Sequence, residues 1–274
     1  MSVIRDLPSF QNVGAGLTAV LPNIPMGDTY EQIVFELGGT SFTKAHIEEI
    51  RVYLGGKAIV QMTGTQLDTI NQYMGLAENA AYLTLNFSEP SARTIVGETL
   101  GGLDTSLGYA GFHIELDIAS GASAPTLKGF AKVSPPQEGQ AKGLFRAFTK
   151  VTESFSAAGE YNMRVGMGSQ YGNLLKRVYF IHEGDMTQLE VTKNGLYLLK
   201  QGTVARVNFL ANELNRESQT NMLVFDPTLS DNQSDAVTTL DIKGNPAAFE
   251  FKVTTSDADQ VIAIAELYTT LTRL

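Results

Sequence analysis

The chain has 274 residues, 43% of them hydrophobic, and a formal net charge of -9. That length fits one large domain or two of ordinary size, with a substantial core. With no cysteine there is no disulfide framework, thiolate nucleophile or sulfur-bound zinc, and an acidic balance (pI ≈ 4.9) excludes a surface that grips a phosphate backbone, so no direct contact with nucleic acid is expected.

The opening MSVIRDLPSF lacks the apolar stretch of about 7 to 15 residues that marks a signal peptide, and nothing approaches the roughly 18 apolar residues of a spanning helix, which predicts a chain soluble when made. RVYLGGKAIVQ at 51–61 reads as a strand covered on one side, with Ala58, Val60 and Met62 on one face, Lys57, Ile59 and Gln61 on the other, and Gly55-Gly56 as a hairpin turn. TGTQLDTINQYMGL then changes period: Leu67, Ile70 and Met74 share a helical face, and Thr65 is the expected cap with Asp68 three residues on. YLTLNFSEP alternates through Leu83, Leu85 and Phe87 and stops at Pro90; FHIELDI begins 22 positions later at Phe112, and TLKGFAKV (126–133) follows. SPPQEGQAKG at 134–143 has the composition of a connector, which predicts domains at 1–136 and 137–274.

The second stretch repeats the first. Arg177-Val178-Tyr179-Phe180 nearly restates Arg51-Val52-Tyr53-Leu54, 126 positions on. GTVARVNFLANELNR offers a second helix with Val207, Leu210 and Leu214 on one face and Thr203 as its cap. MLVFDP ends at Pro227, FEFKVTT begins 22 positions later at Phe249, and VIAIAELYTTL (261–271) is the last strand. The fold expected is all-β: two tandem eight-stranded antiparallel sandwiches with Greek-key connections, each with one short helix.

Particular residues also carry a resemblance. NVGAG (12–16) and PMGDTYEQIVFELGG (25–39), where a Gly-x-Thr-Tyr-Glu turn leads into a strand, resemble the first strands of the double jelly-roll major capsid proteins of tailless, membrane-containing icosahedral bacteriophages, the corticovirus-type coat protein in particular. IEEIRVYLGGK with its following helix and LLKRVYFIHEGDMTQLEV continue the likeness; it lapses at 91–111 and 228–247, read as surface loops. The resemblance implies a homotrimer of pseudo-hexagonal outline, because two sandwiches in each of three chains give six similar units. It implies a place in the capsid shell of a virion with an inner membrane, assembled from protein made in the host cytoplasm. The partners implied are neighbouring capsomers, vertex and membrane-associated virion proteins and, peripherally, the inner membrane. No catalysis is implied, and no cofactor beyond structural calcium between capsomers.

GMGSQYG (166–172) lacks the Lys-Ser/Thr and the long helix of a phosphate loop and reads as a turn, and GGK at 55–57 fails likewise. Jelly rolls also house iron oxygenases, but His46, His113 and His182 lie in separate predicted elements without a His-x-His or His-x-Asp pairing; His113 should point outward. No Gly-x-Ser-x-Gly elbow is present, and no catalytic residue is assigned. DNQSD, Asp231 to Asp235, could offer oxygens to calcium, although a solvated acidic loop is the plainer reading and no ligand is assigned. The 14 Phe and 10 Tyr read as core. A two-domain β-sandwich that binds glycans in host adhesion is the alternative, which exposed aromatic clusters would favour.

Overall fold

In a computed structural model, described for residues 2–90, 92, 97, 99–139, 142–168 and 171–274, the chain is built mostly from antiparallel strands. Parts of the expected loop at 91–111, of the connector and of the GMGSQYG turn (91, 93–96, 98, 140, 141, 169 and 170) lie outside the described residues. The chain divides into two units: Met1–Gln72, Leu76–Ala147 and Thr269–Thr272 form one, and Tyr73–Gly75, Phe148–Tyr268 and Arg273–Leu274 the other.

The first half runs β1 (Val3–Asp6), β2 (Thr18–Leu21), β3 (Thr29–Gly38), β4 (Ile47–Leu54), β5 (Lys57–Met62), α1 (Gly64–Tyr73), β6 (Tyr82–Asn86), β7 (Leu103–Asp104), β8 (Phe112–Ile118) and β9 (Thr126–Ser134). The second runs β10 (Phe145–Phe155), β11 (Gly159–Met163), β12 (Leu174–Ile181), β13 (Met186–Lys193), β14 (Leu196–Thr203), α2 (Val204–Glu213), β15 (Met222–Phe225), β16 (Val237–Thr238), β17 (Phe249–Thr255) and β18 (Asp259–Thr269). Two sheets form in each half. The order β1-β9-β3-β6, with β7 beside β3, recurs as β10-β18-β12-β15 with β16 beside β12; β2-β8-β4-β5 recurs as β11-β17-β13-β14. Among the described residues each half is therefore eight strands plus a two-residue ninth, the antiparallel sandwich that periodicity predicts and the jelly roll that the resemblance implies.

This correspondence corrects one step of the sequence reading. Arg51-Val52-Tyr53-Leu54 lies in β4, whose counterpart is β13, whereas Arg177-Val178-Tyr179-Phe180 lies in β12, the counterpart of β3. The hairpins agree: β4 turns into β5 through Gly55-Gly56 (φ 55° and 82°), and β13 into β14 through Asn194-Gly195 (φ 50° and 76°), both with the left-handed backbone of a two-residue turn. The repeat is real, but the Arg-Val-Tyr match falls out of register. Two strands in different sheets share those letters because both bury a valine beside an arginine, with opposite fates for the arginine.

Alternation fixes the cores. In β8 Phe112, Ile114, Leu116 and Ile118 are buried, with half-buried residues between them, and β9 alternates likewise through Leu127 and Ala131. Leu175, Val178, Phe180, Leu189, Val191, Phe251, Val253 and Ala265 form the centre of the second unit's core.

Three local expectations change. The cap of α1 is Thr63, not Thr65: its hydroxyl accepts from the Gln66 N–H (3.1 Å), while the Gln66 side chain accepts from the Thr63 N–H (2.9 Å). β5 ends at Met62, so the chain turns two residues earlier than the Thr-x-x-Asp spacing implied, and Asp68 instead takes Lys44. Thr63→Ala should cost about 1 kcal/mol in urea unfolding and Thr65→Ala under about 0.5, a ranking that reverses if the cap lies at 65. In β5 a register shift opposite Val52/Tyr53 buries Ile59 beside Val60 and leaves Ala58 exposed, so the strict alternation breaks at that bulge. Asn12–Gly16 is a loop between β1 and β2, with Asn12 and Gly16 at positive φ, while Gly27 does turn the chain into β3 at Thr29.

Candidate functional site

The three histidines stay in separate elements. The Nδ1 of His46 accepts from the Thr43 N–H (3.1 Å) at the end of a short 3-10 turn. His113 lies on the outer side of β8, half-buried, stacked on Tyr53 of β4 with centroids 4.7 Å apart. His182 follows β12, buried, 3.8 Å from Asp259. Among the described residues no three His, Asp or Glu side chains converge into a metal site.

Burial holds His182 below the ordinary histidine range against the opposing pull of Asp259 and Asp185. Asp259 is a distracted partner, since its carboxylate already accepts from the N–H of Glu183 (2.8 Å) and of Asp185 (3.0 Å). A base with a depressed folded pKa takes its proton more readily when unfolded. Its contribution is thus complete above about pH 6.5 and is lost as pH falls below that. Wild type should lose more melting temperature than His182→Gln between about pH 7.5 and 5.5 by scanning calorimetry; equal losses would place the acid sensitivity elsewhere.

The glycines of GMGSQYG make room for protein rather than phosphate. A Cβ at Gly168 would meet the Asn173 side chain and the Arg273 carbonyl, and one at Gly172 would meet Leu240. In the acidic loop, Asp231 is ion-paired with Arg216, and Asp235 accepts from Ser230 and Asn232 (both 3.2 Å). Those oxygens serve the loop's own fold.

Sequence reasoning missed the strongest polar feature, a charged group sealed inside the second unit. β12 is buried on both faces. Lys176 lies 3.1 Å from Glu266 of β18 and 5.0 Å from the centre of the Tyr268 ring; Arg177 lies 2.7 Å from Asp226 and 3.4 Å from Glu266; the Tyr179 hydroxyl donates to Glu266 at 2.7 Å. Asp226 also accepts from the Thr228 N–H (2.9 Å) and hydroxyl (2.8 Å), with Arg216 3.7 Å away. The available signal was a single acid, Glu266, inside the apolar run VIAIAELY, because a charge there must be partnered. Arg51 differs. It sits on the part-exposed side of β4 against Asp117, Glu115 (3.1 Å) and Glu49 (2.8 Å), and its guanidinium holds the Asp117 carboxyl below the usual range. These groups neutralise one another, and their work is holding sheets in register.

What remains as a functional surface is apolar. α2 presents Phe209 and Leu210 to solvent, with Leu214 just after it, and β14 presents Leu196, Tyr197 and Leu198. The amphipathic pattern read at Val207, Leu210 and Leu214 is half buried: Val207 packs against the core with Val204 while Ala211 is buried, and Leu210 and Leu214 stay exposed.

Comparison with known proteins accords with this architecture. A family model of the viral coat protein P2 N-terminal domain matches residues 4–134, and one of the viral coat protein P2 C-terminal domain matches 145–271. The chain is similar in structure to the major capsid protein P2 from Bacteriophage PM2, with 18% identity over 98% of both chains and a TM-score of 0.78. It also resembles the capsid structures of Sulfolobus Turreted Icosahedral Virus (11% identity, 98% of this chain and 91% of that one, TM-score 0.70) and of PBCV-1 virus (11%, 98% and 95%, TM-score 0.64). No curated protein matches by sequence.

Proposed function

The chain belongs to the viral coat protein P2 family, a structural protein of the virion capsid and not an enzyme, and we propose that it builds that shell as a homotrimeric capsomer of pseudo-hexagonal outline. The observation that carries this is the strand-for-strand repeat of one jelly roll in two halves. Three such chains supply six similar units, and heterologous contacts between unlike halves close a ring at three copies.

The same reading places an inner membrane beneath the shell. A chain of net charge -9 is suited to a wall separated from the genome rather than to one that neutralises it. Neighbouring capsomers are its principal partners, with vertex and membrane-associated virion proteins at the margins. Structural calcium, where it acts, acts between capsomers, since the acidic loop is paired within its own chain. Light scattering on the purified protein should return three times 29.6 kDa, and chelation should leave that species whole. A stable monomer retained on immobilised glycans would favour the adhesion reading instead.

A further inference from the structure

Because one jelly roll is written twice, each element of one half serves as a control for its counterpart in the other. In the first half α1 buries Leu67 and Ile70, and β5 buries Ile59, Val60 and Met62. In the second half Phe209 is 60% exposed, Leu210 41%, Leu214 42% and Leu196 74%, with Tyr197 and Leu198 beside them. Leu198, Val207 and Leu210 line an apolar groove of about 230 Å³ with Pro227, Leu229 and Val237. A monomeric soluble protein rarely leaves so many large apolar side chains together in water.

We propose that this α2–β14 face is the surface through which each chain docks on a second copy of itself; the inference rests on the homotrimer reading above and names the face that closes it. Two observations select that occupant. At matched positions Ile59, Ile70 and Met74 are buried within the chain where Leu198, Leu210 and Leu214 are exposed, and Leu196, Tyr197 and Phe209 stand where the first half has Lys57, Ala58 and Thr69; a chain that adds apolar side chains to only one version of a shared surface forms a heterologous contact that another copy supplies. The polar side of α2 carries Asn208 and Asn212 with a single cation, Arg206, and a single acid, Glu213, and so lacks the Lys- and Arg-rich face by which interfacial helices hold an anionic lipid surface.

The test uses the full chain, whose lack of cysteine allows single-site labelling. Leu196→Cys lies in the patch, and Ile242→Cys, at a fully exposed position on a loop, is the reference. In the assembled protein, maleimide should label the first at least tenfold more slowly than the second. Phe209→Glu and Leu210→Glu keep a good helix former at exposed positions, so both should retain the wild-type circular dichroism while scattering as monomers. An oligomeric wild type whose Leu196→Cys labels as fast as the reference, or whose Glu variants stay assembled, would overturn this face and leave the trimer standing. A monomeric wild type would remove the trimer reading and this inference with it, and flotation of that monomer with phosphatidylcholine–phosphatidylglycerol vesicles would assign the face to lipid.

Discussion

Val178→Asp is expected to unfold the second jelly roll and abolish assembly. Val178 is fully buried on β12, paired with Phe225 and Ala265 in the centre of the core. A carboxylate placed there has no counter-charge on that face, since Arg177 and Tyr179 point to the opposite side of the strand. Protonating it at pH 7 costs about 4 kcal/mol from the ordinary Asp value alone, before the lost valine burial and the unsatisfied carboxyl are counted. A loss of 5 kcal/mol or more, roughly, consumes most of the stability of an ordinary domain. Limited proteolysis should cut within 148–268 and spare the first unit. Val52→Asp, equally buried on β4, should give the converse pattern, with cuts within the first unit. A soluble, protease-resistant Val178→Asp protein would mean that the face assigned to β12 is wrong.

How much of this the sequence carried depends on which level of pattern is asked. Order and period were legible: the alternating strands from Phe112 and Phe249, the two helices and the Pro-terminated strands before them all appear where the hydrophobic repeat puts them. Those signals arise from burial against the chain's own core, which acts on every second or every third and fourth residue. Identity of letters was a poorer guide. Arg-Val-Tyr recurs in β4 and β12 because both strands need a β-branched residue inward, and the true counterparts, β3 with β12 and β4 with β13, share little beyond pairing partners. The Asn194-Gly195 hairpin held the correct register and outweighs a four-letter match, because its positive φ values are dictated by strand twist. The bulge at Ile59 and the cap at Thr63 are decided by one residue of strand length, below the resolution of a periodic pattern. The exposure of Phe209 and Leu210 could not be read at all, since an amphipathic stripe states only that something covers it, and the same stripe in α1 is covered.

The two arginines of the mismatched motif provide the second large test. Replacing Glu266 by Gln keeps its size and removes the acid shared by Lys176, Arg177 and Tyr179, all fully buried. Desolvation of these ions is already met by their mutual attraction; taking away one member leaves cation charge inside the unit, a loss of about 3 to 5 kcal/mol, or roughly 10 °C in melting temperature. Adding Lys176→Met should recover part of that loss, since the orphaned ammonium goes with its acid, and the coupling between the two changes should exceed about 1 kcal/mol. Arg51→Gln removes the ion pairs to Glu49, Glu115 and Asp117 but should cost under about 1 kcal/mol, because Arg51, Glu115 and Asp117 are part-exposed and water replaces what is lost. Equal costs at Glu266 and Arg51 would mean that β12 is solvated on its outer side. The ratio between them therefore measures, by melting curves alone, whether the strand most deeply enclosed in the second jelly roll is as dry as its geometry requires.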